Sequence, residues 1–129
     1  MFTIEQIKEA HAKVKSGADF PNYIQDLIIL GVKGYDTFVT DGHVEYYGVN
    51  NYIVISDKKY NSIIIAHDVN KELFIEFLVQ HQDGQTDYLT FCSHAAQCGI
   101  EKWRVDIMEM TCTYINLSGD IILIEKIPN

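Results

Sequence analysis

Apolar positions recur first at helical spacing and then at alternate residues, and this switch happens twice along the chain. Ile4, Ile7, His11 and Val14 predict a helix from Thr3 to about Lys15. A capping box between Thr3 and Gln6 opens it, and Ser16-Gly17 is expected to stop it. Asp19 is expected to cap a second helix, with Pro21 in its first turn, where a missing N–H costs little, and Gly31 at its end. Its stripe is Phe20, Tyr23, Ile24, Leu27 and Ile28. The period then becomes two. Tyr35, Thr37 and Val39 predict a strand, Thr40-Asp41-Gly42 a turn, and residues 43–47 the returning strand. β-branched runs at residues 52–55 and 62–66 predict further short strands.

The same order then begins again. Asn70 is placed to cap a helix with the face Leu73, Phe74, Phe77, Leu78 and His81, stopped by Asp83-Gly84. Asp87 precedes the stripe Tyr88, Phe91, Cys92, Ala95 and Ala96, which Gly99 ends. Trp103, Val105 and Ile107 alternate in a strand, Cys112 and Tyr114 lie in the next, and Ser118-Gly119-Asp120 turns the chain into residues 121–127. An offset of 68 residues, from Asp19 to Asp87, superimposes the halves without a gap: Tyr23 meets Phe91, Gly31 meets Gly99, Tyr35 meets Trp103, and Tyr46 meets Tyr114. Identities are few, so the argument rests on caps, stops, large aromatics and strand phase recurring together. The expected fold is α+β: an internal duplication of an αα-βββ unit (about 3–66 and about 69–127) within one domain over 1–129, with a mainly antiparallel sheet covered by helices. Whether the two half-sheets merge or stack is left open.

Composition narrows the functional classes. The 129 residues are 47% apolar and 22% charged, which is globular and sufficient for a core without staples. The N-terminal segment is amphipathic and carries acids, unlike a signal peptide, and the longest apolar runs span four residues against the roughly 20 that cross a bilayer. A cytoplasmic location and no membrane partner are expected. Three cysteines, Cys92, Cys98 and Cys112, read as reduced thiols rather than a disulfide framework. A formal charge of −8 repels phosphate backbones, so nucleic acid is not expected as a partner.

The segments MFTIEQIKEAHAKVKSGADFPNYIQDL, GVKGYDTFVTDGH, DYLTFCSHAAQCGIEKW and MTCTYINLSGDIILIEKIP resemble the YdfO-like family of small bacterial and prophage-encoded proteins. The resemblance runs over nearly the whole chain, and residues 87–92 and 99–103 carry most of it. It implies a shared fold and a bacterial origin. Some members of that family bear the label "phage envelope protein". The family is uncharacterised, so no catalytic residue carries over.

The candidate chemistry is sparse. Cys92, His94 and Cys98 suit zinc by donor type, but six residues separate the two thiols, which puts them on different helix faces. No metal site is expected. A nucleophilic Cys98 would lie at the negative end of a helix dipole, the wrong end for a thiolate. Strand alternation puts His43, Glu45 and Tyr47 on one sheet face, with Lys102, Arg104 and Asp106 on the matching face of the second half. His43 and Glu45 are candidate acid/base groups, and Tyr47, Arg104 and Trp103 candidate ligand contacts, weighed against a plain solvated face and, for Trp103, a core position near Phe91 and Ala95. His11 and His81 end apolar stripes and read as packed histidines. Phosphate loops, GxSxG, HExxH and CxxC motifs are absent, and no cofactor is expected. The leading expectation is a non-catalytic binding or accessory module, with a homodimer, another protein or a small polar ligand as partner. Its rival is a small enzyme with an acid/base site between the repeats.

Overall fold

The computed structural model describes residues 1–15 and 19–127. Helix α1 spans Ile4–Ala12 and opens with the expected box: Thr3 accepts from the Gln6 N–H, and the Gln6 side chain accepts from the Thr3 N–H. It ends three residues before the expected Lys15, and Ser16-Gly17 lies outside the described residues. Helix α2 spans Phe20–Leu30. Asp19 precedes it without capping its first turn, since the carboxylate accepts instead from the Lys15 N–H at 2.8 Å. Helices α3 (Lys71–Gln82) and α4 (Tyr88–Gln97) carry the expected caps, Asn70 accepting from the Leu73 N–H and Asp87 from the Thr90 N–H.

Six strands, β1 (Gly34–Phe38), β2 (Val44–Tyr47), β3 (Ile53–Ile55), β4 (Ile100–Asp106), β5 (Thr111–Asn116) and β6 (Ile121–Lys126), form one sheet in the order β3-β2-β1-β4-β5-β6. Every neighbouring pair is antiparallel, so the fold is α+β and the half-sheets merge through β1 and β4. The β1–β2 register recurs at the sequence offset in β4–β5, while in β5–β6 an irregularity between Tyr114 and Ile115 shifts all but one of the β2–β3 pairs by one residue. Adding 68 to both members of Tyr35↔Tyr46 gives Trp103↔Tyr114, and adding it to Tyr47↔Ile53 gives Ile115↔Ile121. At the junction Asp36 pairs with Arg104, and 36 plus 68 is 104. The run Ser62–Ala66 is not a strand. Its Ile63 N–H donates to the Thr40 carbonyl and its Ala66 N–H to the Ala96 carbonyl, partners on two different elements, so no ladder forms.

All four helices lie on one side of the sheet. Ile7, Ala10, Tyr23, Ile24 and Leu27 pack on Tyr35, Val44, Tyr46 and Val105. Phe74, Leu78, Phe91, Cys92 and Ala95 pack on Val39, Ile100 and Tyr114. Ile28, expected on the apolar stripe, is exposed. His11 is also exposed, although its ring meets Tyr23 edge-on at 5.3 Å. His81 is packed as expected, stacked on Phe91 at 4.5 Å.

The matching glycines Gly31 and Gly99 both follow a helix in the left-handed conformation, at φ 94° and 87°. A Cβ on Gly31 meets nothing within 4 Å, whereas on Gly99 it would stand 2.8 Å from the Asp68 carbonyl oxygen and 3.1 Å from the Val69 Cα. Gly31→Ala should therefore cost only the left-handed strain, roughly 1–2 kcal/mol. Gly99→Ala should cost clearly more, because backbone must move. Urea midpoints of the two variants check this, and equal losses would show that residues 68–69 yield freely.

Candidate functional site

The sheet face away from the helices carries the polar alternation. Asp36 pairs in register with Glu45 on one side and Arg104 on the other, so these side chains share that face, as do Tyr47, Lys102 and Asp106. Asp36 is the centre of the group and is almost fully buried, its side chain 2% exposed. Arg104 grips it with two parallel hydrogen bonds, Nε to Oδ1 at 2.8 Å and Nη2 to Oδ2 at 2.9 Å, and Lys102 Nζ donates to Oδ2 at 3.2 Å. The Tyr47 phenol stands beside the carboxylate and favours its charged form. Burial pushes the Asp36 carboxyl up, but the bonds from Arg104, the neighbouring Tyr47 phenol and the charges of Arg104 and Lys102 outweigh it and hold the carboxyl below its ordinary value. The hydrogen bond to Asp36 raises Arg104 in turn. Burial and then the nearby Asp36 raise the phenol of Tyr47, which stays neutral.

Sequence reasoning missed Asp36, because an acid between Tyr35 and Thr37 reads as an ordinary exposed strand position. The signal was present: the 68-residue offset equates an acid with Arg104.

His43 and Glu45 lie side by side farther along the same face. His43 Nδ1 is 2.5 Å from Asp41 Oδ1, its Nε2 is 3.5 Å from Glu45 Oε2, and its ring stacks on Phe38 at 4.4 Å. Both ring nitrogens are thus engaged by carboxylates, and the Asp41 carboxylate also accepts from the His43 N–H. That arrangement ties the β1–β2 turn together. Lys59 and Tyr60 close over the same turn by donating to the Gly42 and Val39 carbonyls.

A depression of about 460 Å³ opens at the other end of β1, lined by Lys33, Gly34, Tyr47, Arg104, Val105, Asp106 and Met108. Of the expected site residues the structure brings Tyr47 and Arg104 together here. It places His43 and Glu45 outside the lining. Trp103 is on the opposite, helix-covered face, its ring 5.6 Å from Phe91 and 6.3 Å from Tyr114. Tyr35 and Tyr46 are on that side as well, with rings 5.5 Å apart in the core.

Cys92 and Cys98 are buried and Cys112 partly so. Burial raises all three thiols, Cys112 to about 12. Among the described residues no three His, Cys, Asp or Glu side chains are grouped as metal ligands. His94 stacks on Phe77 at 3.7 Å, and its buried Nδ1 has no partner among the described residues. No described helix is long and apolar enough to cross a membrane.

Compared with known proteins, residues 8–126 match the family model described as "Protein of unknown function (DUF1398)". No curated protein matches the chain.

Proposed function

Because the chain belongs to the DUF1398 family, whose description names no activity, we propose from its geometry that it is a non-catalytic binding module that works through the uncovered face of its sheet. One observation carries this reading: the polar groups there satisfy one another in fixed pairs beside an open depression. Asp36 is held by Arg104 and Lys102, and His43 by Asp41 and Glu45. An acid/base pair needs a nitrogen or oxygen aimed at a reacting atom, and His43 has both nitrogens turned to carboxylates. A binding face needs donors fixed before the partner arrives, which is what Asp36 does for Arg104. Half-exposed isoleucines flank the polar centre, Ile53 and Ile55 on one edge strand and Ile121 and Ile124 on the other, giving apolar borders to a charged middle.

The likeness to YdfO-like prophage proteins favours an accessory role in a bacterial cell. A single cytoplasmic domain that arose by duplication, able to self-associate through this face, belongs to the same proposal.

The test is an NMR screen of ¹⁵N-labelled protein against a metabolite set, with each compound's own proton spectrum followed in parallel. Perturbations should centre on the amides of residues 34–36, 45–47, 102–106 and 113, with every compound unchanged after hours. Conversion of a compound would establish an enzyme. Hits confined to the helices would move the binding surface elsewhere.

A further inference from the structure

We infer that the depression at Lys33, Gly34, Tyr47, Arg104 and Met108 is a receptor for a small organic monocarboxylate with an apolar body. The inference deepens the binding-module reading and rests on it.

The charge of the lining selects the ligand's charge. With the Asp36 carboxylate and Lys102 that pair beside it included, Lys33, Lys102 and Arg104 stand against Asp36 and Asp106, one net positive charge on a chain whose formal charge is −8. Asp106 is partly committed already, because its Oδ1 accepts from the Glu109 N–H at 3.1 Å in the turn after β4. One negative charge completes the balance. A multiply charged anion would meet the field of the whole acidic protein with nothing further to neutralise it.

Arg104 selects the ligand's shape. A guanidinium offers its N–H groups in a planar fork that matches a carboxylate, and Asp36 uses only the Nε and Nη2 edge. The side chain is 48% exposed where it lines the depression beside Tyr47, so part of the guanidinium faces solvent there. Asp36 fixes the guanidinium from beneath, so little freedom is lost when a ligand docks.

The rest of the lining is apolar or flat. The exposed Met108 and the ring of Tyr47 flank Gly34, while Val105 contributes backbone only, its side chain being buried in the helix-covered core. Lys33 is anchored by its backbone, its N–H donating to the Tyr47 carbonyl at 2.7 Å and its carbonyl accepting from the Ile107 N–H at 3.0 Å.

The matching end of the sheet shows that this opening is particular to one half. The 68-residue offset replaces Gly34 by Lys102, Tyr47 by Ile115 and Asp106 by Phe38. There the space is occupied: Lys102 Nζ stands 5.3 Å over the Phe38 ring, Phe38 stacks on His43, and Ile115 is buried. At the first end Gly34 is set by the close approach of β1 and β4, since a Cβ there would stand 2.6 Å from the Val105 carbonyl oxygen.

The experiment is a ¹⁵N NMR titration with 3-phenylpropionate, using acetate, inorganic phosphate and benzyl alcohol as comparators. 3-Phenylpropionate should give saturable shifts at Gly34, Arg104 and Asp106, with affinity at least tenfold above each comparator. Arg104→Gln should lower that affinity at least tenfold. Met108→Glu places an acid on the exposed rim, where folding is undisturbed, and should lower it severalfold, so the idea stays decidable should Arg104→Gln unfold. Equal binding of benzyl alcohol or phosphate, unchanged affinity in Met108→Glu, or no saturable shift would overturn the inference. Silence from carboxylates alongside open-face hits from other compounds would remove this ligand class and leave the binding module standing.

Discussion

Phe74→Ala is expected to lower stability by about 3–5 kcal/mol, a large share of the roughly 5–15 kcal/mol that holds a domain together. Phe74 is fully buried on α3, with its ring 5.0 Å from Tyr114 on the sheet and 6.0 Å from Phe91 on α4. Three elements meet at one ring, so the cavity left by truncation has rigid walls on every side and cannot collapse. Trp103→Ala should cost less, about 2–4 kcal/mol, although it removes a larger side chain. Trp103 touches both core clusters but is only partly buried, so solvent fills part of the space it leaves. Urea unfolding of both variants checks the order. A Trp103→Ala protein that unfolds like the parent would show that the ring contributes no packing, contrary to its position against Phe91 and Tyr88.

Local chemistry was legible in the sequence wherever one side chain decides one feature. Thr3, Asn70 and Asp87 cap their helices because each side-chain oxygen has one near N–H in reach. Asp19 has a competitor: the Lys15 N–H donates to the carboxylate oxygen expected to cap the helix. The run at residues 62–66 has strand composition, yet Ile64 is 93% exposed and its neighbours bond to a turn and a helix. β-propensity describes a side chain that suits a pleated surface, and here the backbone donors go to a turn and a helix instead. The merging of the half-sheets was hidden for a different reason. It depends on β1 meeting β4, and no turn of fixed length sets a register between strands so far apart. Asp36 could be recognised only once that register was known, since its partners Lys102 and Arg104 are 66 and 68 residues away. The candidate site was therefore half legible: Tyr47 and Arg104 followed from alternation, while the buried acid that orients Arg104 followed from topology.

That acid sets the last expected result. Asp36→Asn keeps the shape of the side chain and removes its charge, leaving Arg104 and Lys102 without their counter-ion. Breaking a buried pair from one side typically costs about 3–5 kcal/mol. Here Arg104 is half exposed and Lys102 one-fifth exposed, so water recovers part of the loss, and about 2–4 kcal/mol is expected at pH 7. The direction with pH follows from the lowered native carboxyl. A carboxylate that titrates near 3.9 when unfolded and lower when folded contributes stability that is fully present above about pH 5. The contribution is lost as pH falls from about 4 through the lowered native value. Eighteen carboxylates are present in the chain, so acid destabilisation of the parent alone says little about any one of them. The difference between the parent and Asp36→Asn isolates this group. Urea midpoints of the two proteins should be far apart at pH 7 and equally far apart at pH 5, then converge below pH 4 as the parent's Asp36 takes up its proton. A gap that narrows already between pH 7 and pH 5 would mean that the carboxyl is raised by burial rather than lowered by its partners. No gap at pH 7 would mean that water serves Arg104 as well as Asp36 does, and the premise that the guanidinium is fixed in advance for a ligand would fall with it.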